Sequence, residues 1–206
     1  MRGTSTDYSY FWLHRLQSIT GIVFAVAFVL FFLIPYSSVF GGAAEFNRFM
    51  AKLGMVPMLG WAQVIFIALP LIFHAALGLM IVHGCQINAF NYGYYRNWMY
   101  ALQRVAGIIL IPFVIYHVYK TEIVMAFSNT SIDFSLMHAL LSHTWAKAFY
   151  CAGIACAAFY IGNGFATQLT SWGIAVTRRA RSAATIVGWI ITIGLAAWGL
   201  RLVLYF

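Results

Sequence analysis

Five stretches of this 206-residue chain contain no Asp, Glu, Lys or Arg: 16–44, 53–95, 105–119, 148–177 and 182–200. Uncharged runs of that length have few ways to fold. Crossing a bilayer core takes about 20 mostly apolar residues in an α-helix. In lipid, every main-chain polar group must find its partner inside the protein. The runs therefore specify an all-α integral membrane protein with five transmembrane helices. The helices are expected at about 11–36, 61–84, 98–124, 145–169 and 184–206, within a single transmembrane domain covering 1–206. The first four are expected to form a bundle. The first apolar run is too long for the core of a signal peptide, so it is read as retained.

Composition closes off other classes. Only 8% of residues are charged, against about 25% in a soluble domain. No stretch is left over for a soluble domain, so the chain acts inside the membrane or by docking something onto it. The net charge of +8 would suggest nucleic acid in a soluble protein. Here the basic residues sit mostly at the ends of apolar runs, where their natural partners are lipid headgroups or acidic ligands. The cysteines Cys85, Cys151 and Cys156 form no even disulfide framework.

Basic residues also orient the chain. With the N-terminus cytoplasmic, Arg2, Arg15, Arg96, Arg104, Arg178, Arg179 and Arg181 lie inside. Arg48, Lys52, Lys120, Lys147 and Arg201 lie outside. The inside-positive bias favours this orientation. The segments 43–54 and 133–143 read as amphipathic pieces lying on the outer surface.

Two segments echo each other. LQSITG (16–21) opens the first helix and LQRVAG (102–107) the third. A weaker echo joins HAALG (74–78) in the second helix to YIGNG (160–164) in the fourth. The chain thus reads as two related helix pairs plus a fifth helix.

Two histidines stand deep in this apolar sequence. At a rise of about 1.5 Å per residue, His74 lies roughly 15 Å from the inner end of its helix, and His117 roughly 28 Å from the same side. Histidine inside a span is costly and marks either a bonded core position or a functional path. Haem is the sharper reading, because imidazole is a common axial ligand and bundles offer slots between facing side chains. A separation of roughly 13 Å along the membrane normal suits two stacked centres rather than one iron. His83 faces nearly the opposite side from His74 and sits at the interface. Partners at matching depth would fall near residue 30 for His117, where the repeat gives Phe31, and near residue 160 for His74, where it gives Tyr160, and neither is histidine.

The motifs HRLQSITG, LPLIFHAALG, YYRNWMYALQRVAGI, FVIYHVYKTEI and WGIAVTRRAR resemble the single-chain, five-helix, cytochrome b-type membrane anchor of bacterial succinate:quinone oxidoreductase or fumarate reductase. The likeness covers nearly the whole chain in register. It implies a subunit of the cytoplasmic membrane that docks an iron–sulfur subunit and a flavoprotein, and passes electrons to or from a quinone, often menaquinone. FAD and iron–sulfur clusters would belong to those partners. Two-haem members carry one ligand histidine on each of the first four helices. His74 and His117 match two of the four, while Phe31 or Phe32 and Tyr160 stand at the other two. Haem b is therefore expected in zero to two copies. It could be held with an unusual second ligand such as Tyr160 or Cys156, held five-coordinate, retained once, or lost.

The resemblance also implies roles for His14, Arg15, Ser18 and Arg104, at the inner ends of the first and third helices, as holders of haem propionates or a quinone carbonyl. Positive-inside anchoring is the plainer account of the same residues. Glu45 resembles the carboxylate of an outer quinone site in some members. Pro70 and Pro112 are expected to kink their helices, and His138 and His143 to be solvated. Other readings remain: the anchor of a different dehydrogenase, or a small transporter or proton path using His74 and His117.

Overall fold

The computed structural model describes residues 5–84, 87–123, 127 and 131–206. It contains five helices long and apolar enough to cross a membrane: Phe11–Gly41, Leu59–His83, Tyr95–Thr121, Thr144–Ser171 and Arg178–Tyr205. Arg2, Cys85 and the expected end of the third helix at 124 lie outside the described residues. We name the elements α1 (Ser5–Phe28 and its continuation), α2 (Ala43–Gly54), α3 (Leu59–His83), α4 (Tyr95–Val118), α5 (Phe134–Leu141), α6 (Thr144–Ser171) and α7 (Arg178–Tyr205).

Every expected span is present, and the differences lie at the ends. The fifth helix begins at Arg178 rather than 184. Its first turn takes in three arginines because the Thr177 hydroxyl accepts a hydrogen bond from the Ala180 N–H at 3.1 Å, capping the helix before the apolar run starts. Gly173, at φ +75°, makes the left-handed turn that ends α6.

Two prolines widen their helices: Pro70, where a kink was expected, and Pro35, where none was. A π-helical turn, Val29–Leu33, precedes Pro35, and another, Val64–Ala68, precedes Pro70. A proline offers no N–H to the carbonyl four residues back, and its ring crowds that carbonyl, so the preceding turn opens. Pro112 lies inside α4, which continues through it as α-helix. The π turn Tyr119–Ile123 lies beyond it, where the Thr121 hydroxyl donates to the His117 carbonyl at 2.8 Å.

The chain divides into two compact units, residues 1–32 with 58–86 and residues 33–57 with 87–206. In the first, α1 and α3 pack antiparallel, with Gln17 against Gly78 and Gly21 against His74. In the second, α4, α6 and α7 pack antiparallel in turn. Gly107 meets Tyr160, Gly153 meets Phe113, and Gly162 meets Gly188 and Thr192. Buried positions are mostly small (Ala101, Ala106, Ala146, Gly153, Ala158, Gly162, Ala184, Gly188). Large apolar side chains such as Ile186, Ile190 and Ile193 are exposed. That inversion suits lipid, where helices associate by close backbone approach and bulky side chains face acyl chains.

The second unit also holds α2 and α5. Phe46 of α2 is fully buried against Tyr36 and Phe206. Asn47 accepts a hydrogen bond from the Phe134 N–H at 2.8 Å, tying α2 to α5. The Trp198 indole donates to the Ser37 hydroxyl at 2.7 Å, and the Arg201 guanidinium lies 4.6 Å from the Phe40 ring.

Candidate functional site

The first unit builds a seat for an imidazole. Gly21 leaves no side chain on the face of α1 that meets α3. The His74 ring fills that space: a Cβ on Gly21 would come within 2.6 Å of His74 Cε1 and 2.9 Å of its Nδ1. Nδ1 lies 2.9 Å from the main-chain oxygen of Gln17. A carbonyl only accepts, so Nδ1 carries the proton, and in the neutral ring Nε2 keeps its lone pair. An imidazole that ligates iron is commonly oriented in this way, by a hydrogen bond from its non-ligating nitrogen to a carbonyl.

The second unit repeats the construction 86 residues later. Gln103, Gly107, Tyr160 and Gly164 correspond to Gln17, Gly21, His74 and Gly78. A Cβ on Gly107 would come within 3.0 Å of the Tyr160 ring. A Cβ on Gly78 would lie 3.4 Å from the Gln17 amide nitrogen, and one on Gly164 3.3 Å from that of Gln103. The echo between LQSITG and LQRVAG is thus an equivalence of packing. One bond differs. In the second pair the Gln103 side chain donates to the Tyr160 carbonyl at 2.9 Å. Asn163 donates to the Gln103 side-chain oxygen at 2.8 Å and to the Met99 carbonyl at 3.3 Å.

Arg104 sits in this second polar group. Its guanidinium lies 3.1 Å from the Tyr100 ring centroid, and Nη1 donates to the Tyr100 carbonyl at 3.0 Å. Its Nε is buried and makes no hydrogen bond.

His117 is held differently. Its Nδ1 lies 3.2 Å from the hydroxyl of buried Tyr150. A hydroxyl both donates and accepts, so this bond does not set the tautomer. Phe113 stacks on the ring at 6.1 Å and Tyr150 meets it edge-on at 5.6 Å. Its counterpart one repeat earlier is Phe31.

The other expected residues fall as follows. His14, Arg15 and Ser18 are half-buried on α1, with the Arg15 guanidinium 5.0 Å from the Phe11 ring. They belong to the first unit and Arg104 to the second. Glu45 pairs with Arg48 at 3.1 Å, on the surface of α2. His83 and His143 are exposed. His138 is exposed too, yet its Nδ1 donates to the Phe206 carbonyl. Cys151 and Cys156 are unbridged. Sequence reasoning passed over Gln17, Gln103, Asn163 and Tyr150. The signal was there for Asn163, an amide within an apolar span, which membrane energetics makes costly unless bonded.

The fit to a haem is therefore to one ligand at a time. His74 suits an axial role, while the seat equivalent to it holds a phenol and the position equivalent to His117 holds a phenyl ring. No protein-family model and no solved structure matches the chain. Over 196 residues, spanning 95% of this chain and 96% of the relative, it is 34% identical to the succinate dehydrogenase cytochrome b558 subunit of Bacillus subtilis (strain 168). Likeness at that level along both full lengths, joined to five apolar spans, places the chain in the bacterial cytoplasmic membrane as a multi-pass protein. It belongs to the family of cytochrome b-type membrane anchor subunits of succinate dehydrogenase.

Proposed function

We propose that the five helices act as one transmembrane domain, N-terminus cytoplasmic, that docks an iron–sulfur subunit and a flavoprotein and exchanges electrons with a membrane quinone such as menaquinone. FAD and iron–sulfur clusters reside in the partners. The observation that carries the redox part is the His74 seat, with Nδ1 tethered to the Gln17 carbonyl and the ring laid across Gly21. A haem b bound there would supply a one-electron relay between the partners' clusters and the quinone.

The chain's own residues have definable tasks. The Gln17 carbonyl keeps the His74 proton on Nδ1 and so leaves Nε2 to bind iron. Gly21 fixes the plane of the ring. His14, Arg15, Ser18 and Arg104 would stabilise the negative charge of a haem carboxylate or of a reduced quinone oxygen. An arginine does so by its planar fork of donors. Glu45 would take up or release the proton of a quinol at the opposite surface.

Two measurements test this reading. The tagged chain, extracted in mild detergent, should bring down a flavin-containing and an iron–sulfur subunit; isolation of the chain alone retires the docking role. A reduced-minus-oxidised spectrum of the complex should show a b-type band that falls in His74→Ala. A band of unchanged size in that variant would remove His74 from the ligand set.

A further inference from the structure

One end of the second unit lies beyond its apolar spans and is still not polar. There α4 and α7 begin and α6 stops, and two short segments form the surface: 87–94 before α4, and 172–177 between α6 and α7. Phe90 is 86% exposed, Tyr94 71% and Ile174 67%, and Tyr92 and Val176 are exposed as well. Apolar side chains gathered outside the bilayer mark a contact surface.

Both segments are held in place. The Asn88 carbonyl accepts from the N–H groups of Asn91 at 3.0 Å and Tyr92 at 2.9 Å. The Asn97 side chain donates to the Tyr92 carbonyl at 2.9 Å, and the Phe90 ring meets Trp98 edge-on at 5.3 Å. The Trp189 indole of α7 donates to the Tyr95 hydroxyl at 2.8 Å, tying the first turn of α4 into the unit. In the other segment, the N–H groups of Ile174 and Ala175 both donate to the Leu169 carbonyl, and Arg181 Nε donates to the Ala175 carbonyl at 3.3 Å. An aromatic side chain on a fixed loop loses little freedom when it is covered, which favours contact with another folded surface. Fluid headgroups need no such fixed arrangement, and the residues they attract are Trp and Tyr rather than Phe, Ile or Val.

Charge narrows the partner. Arg96, Arg178 and Arg179 are exposed at this same end. Neither 87–118 nor 144–206 contains an Asp or Glu. A surface of one sign complements a partner of the other.

We propose that segments 87–98 and 172–179 are the face on which the iron–sulfur subunit docks, with an acidic rim on that subunit meeting the arginines and apolar ground covering Phe90 and Tyr94. This rests on the docking reading given above, in whose orientation this end is cytoplasmic. A few buried aromatic and arginine side chains carry most of the energy of such contacts.

The test uses membranes holding the whole complex. A benzophenone amino acid replaces Phe90 or, separately, Trp145, which is exposed at the opposite end of α6. Position 90 should cross-link to the iron–sulfur subunit, at a peptide carrying Asp or Glu, and position 145 should not. Phe90→Ala combined with Tyr94→Ala should retain severalfold less iron–sulfur subunit per anchor chain, more so at high salt, with the anchor at its wild-type level in the membrane. The cross-link decides the matter even if that double variant fails to insert. A cross-link from position 90 to lipid, to the flavoprotein or to a second copy of this chain overturns the proposal, as does undiminished retention in the double variant. Those results leave the docking role standing. A wild-type chain that brings down no iron–sulfur subunit removes the docking role and this placement together.

Discussion

At the scale of single residues, the two seats are held by different atoms, and this predicts different sensitivities. His74 is tethered to the main chain of Gln17. Gln17→Leu should therefore leave the tether intact and the b-type band at wild-type size. Gly21→Ala places a Cβ within 2.6 Å of the ring and should lower haem content severalfold, read as pyridine haemochrome per flavin. Across the repeat the order reverses. The Gln103 side chain is itself the bond to Tyr160, and Asn163 depends on it. Gln103→Leu should cost about 1–3 kcal/mol, because it strands buried polar groups, seen as a lower midpoint in thermal unfolding in detergent. The sequence announced His74 plainly, since an imidazole inside hydrocarbon is conspicuous. It could not announce the seat, because a backbone carbonyl has no letter of its own, and Gly21 acts by lacking a side chain.

At the scale of elements, the closest approach is between α6 and α7. Gly162 faces the carbonyl of Gly188 and the hydroxyl of Thr192, and a Cβ on Gly188 would meet the Gly162 oxygen at 2.6 Å. Both neighbours are partly main chain and cannot step aside. Gly162→Leu should destabilise the second unit by at least about 1–3 kcal/mol, measured as a lowered melting temperature of the purified complex. Thr177→Ala removes the cap of α7 and should cost about 1 kcal/mol, with fraying of the first turn visible as faster amide exchange at 178–181. The spans themselves were legible because lipid tolerates no long uncharged run except as helix. Their ends were less so. Arginines extend α7 to Arg178 because a long basic side chain can reach water from the first turn of a buried helix. The π turn before Pro70 was foreseen only as a kink, since composition alone does not say how a helix absorbs a missing donor, and the one before Pro35 was not foreseen.

At the scale of the whole molecule, topology hangs on few charges. Seven basic residues on the expected cytoplasmic side face five on the other. Three of the seven, Arg178, Arg179 and Arg181, share the first turn of α7. Replacing all three with alanine reverses the bias, and reporter fusions at the C-terminus should then report a mixed orientation; an unchanged single orientation would place the determinant elsewhere. The repeat carries another implication. Because the glutamine and glycine scaffold is present twice, the protein holds two copies of a seat that receives a ring. One copy can keep its imidazole while the other is rewritten, with no backbone rearrangement needed. The chain is in that sense redundant where the helices of each pair meet: one scaffold seats an imidazole in the first copy and a phenol in the second, each bonded to its glutamine by a different atom.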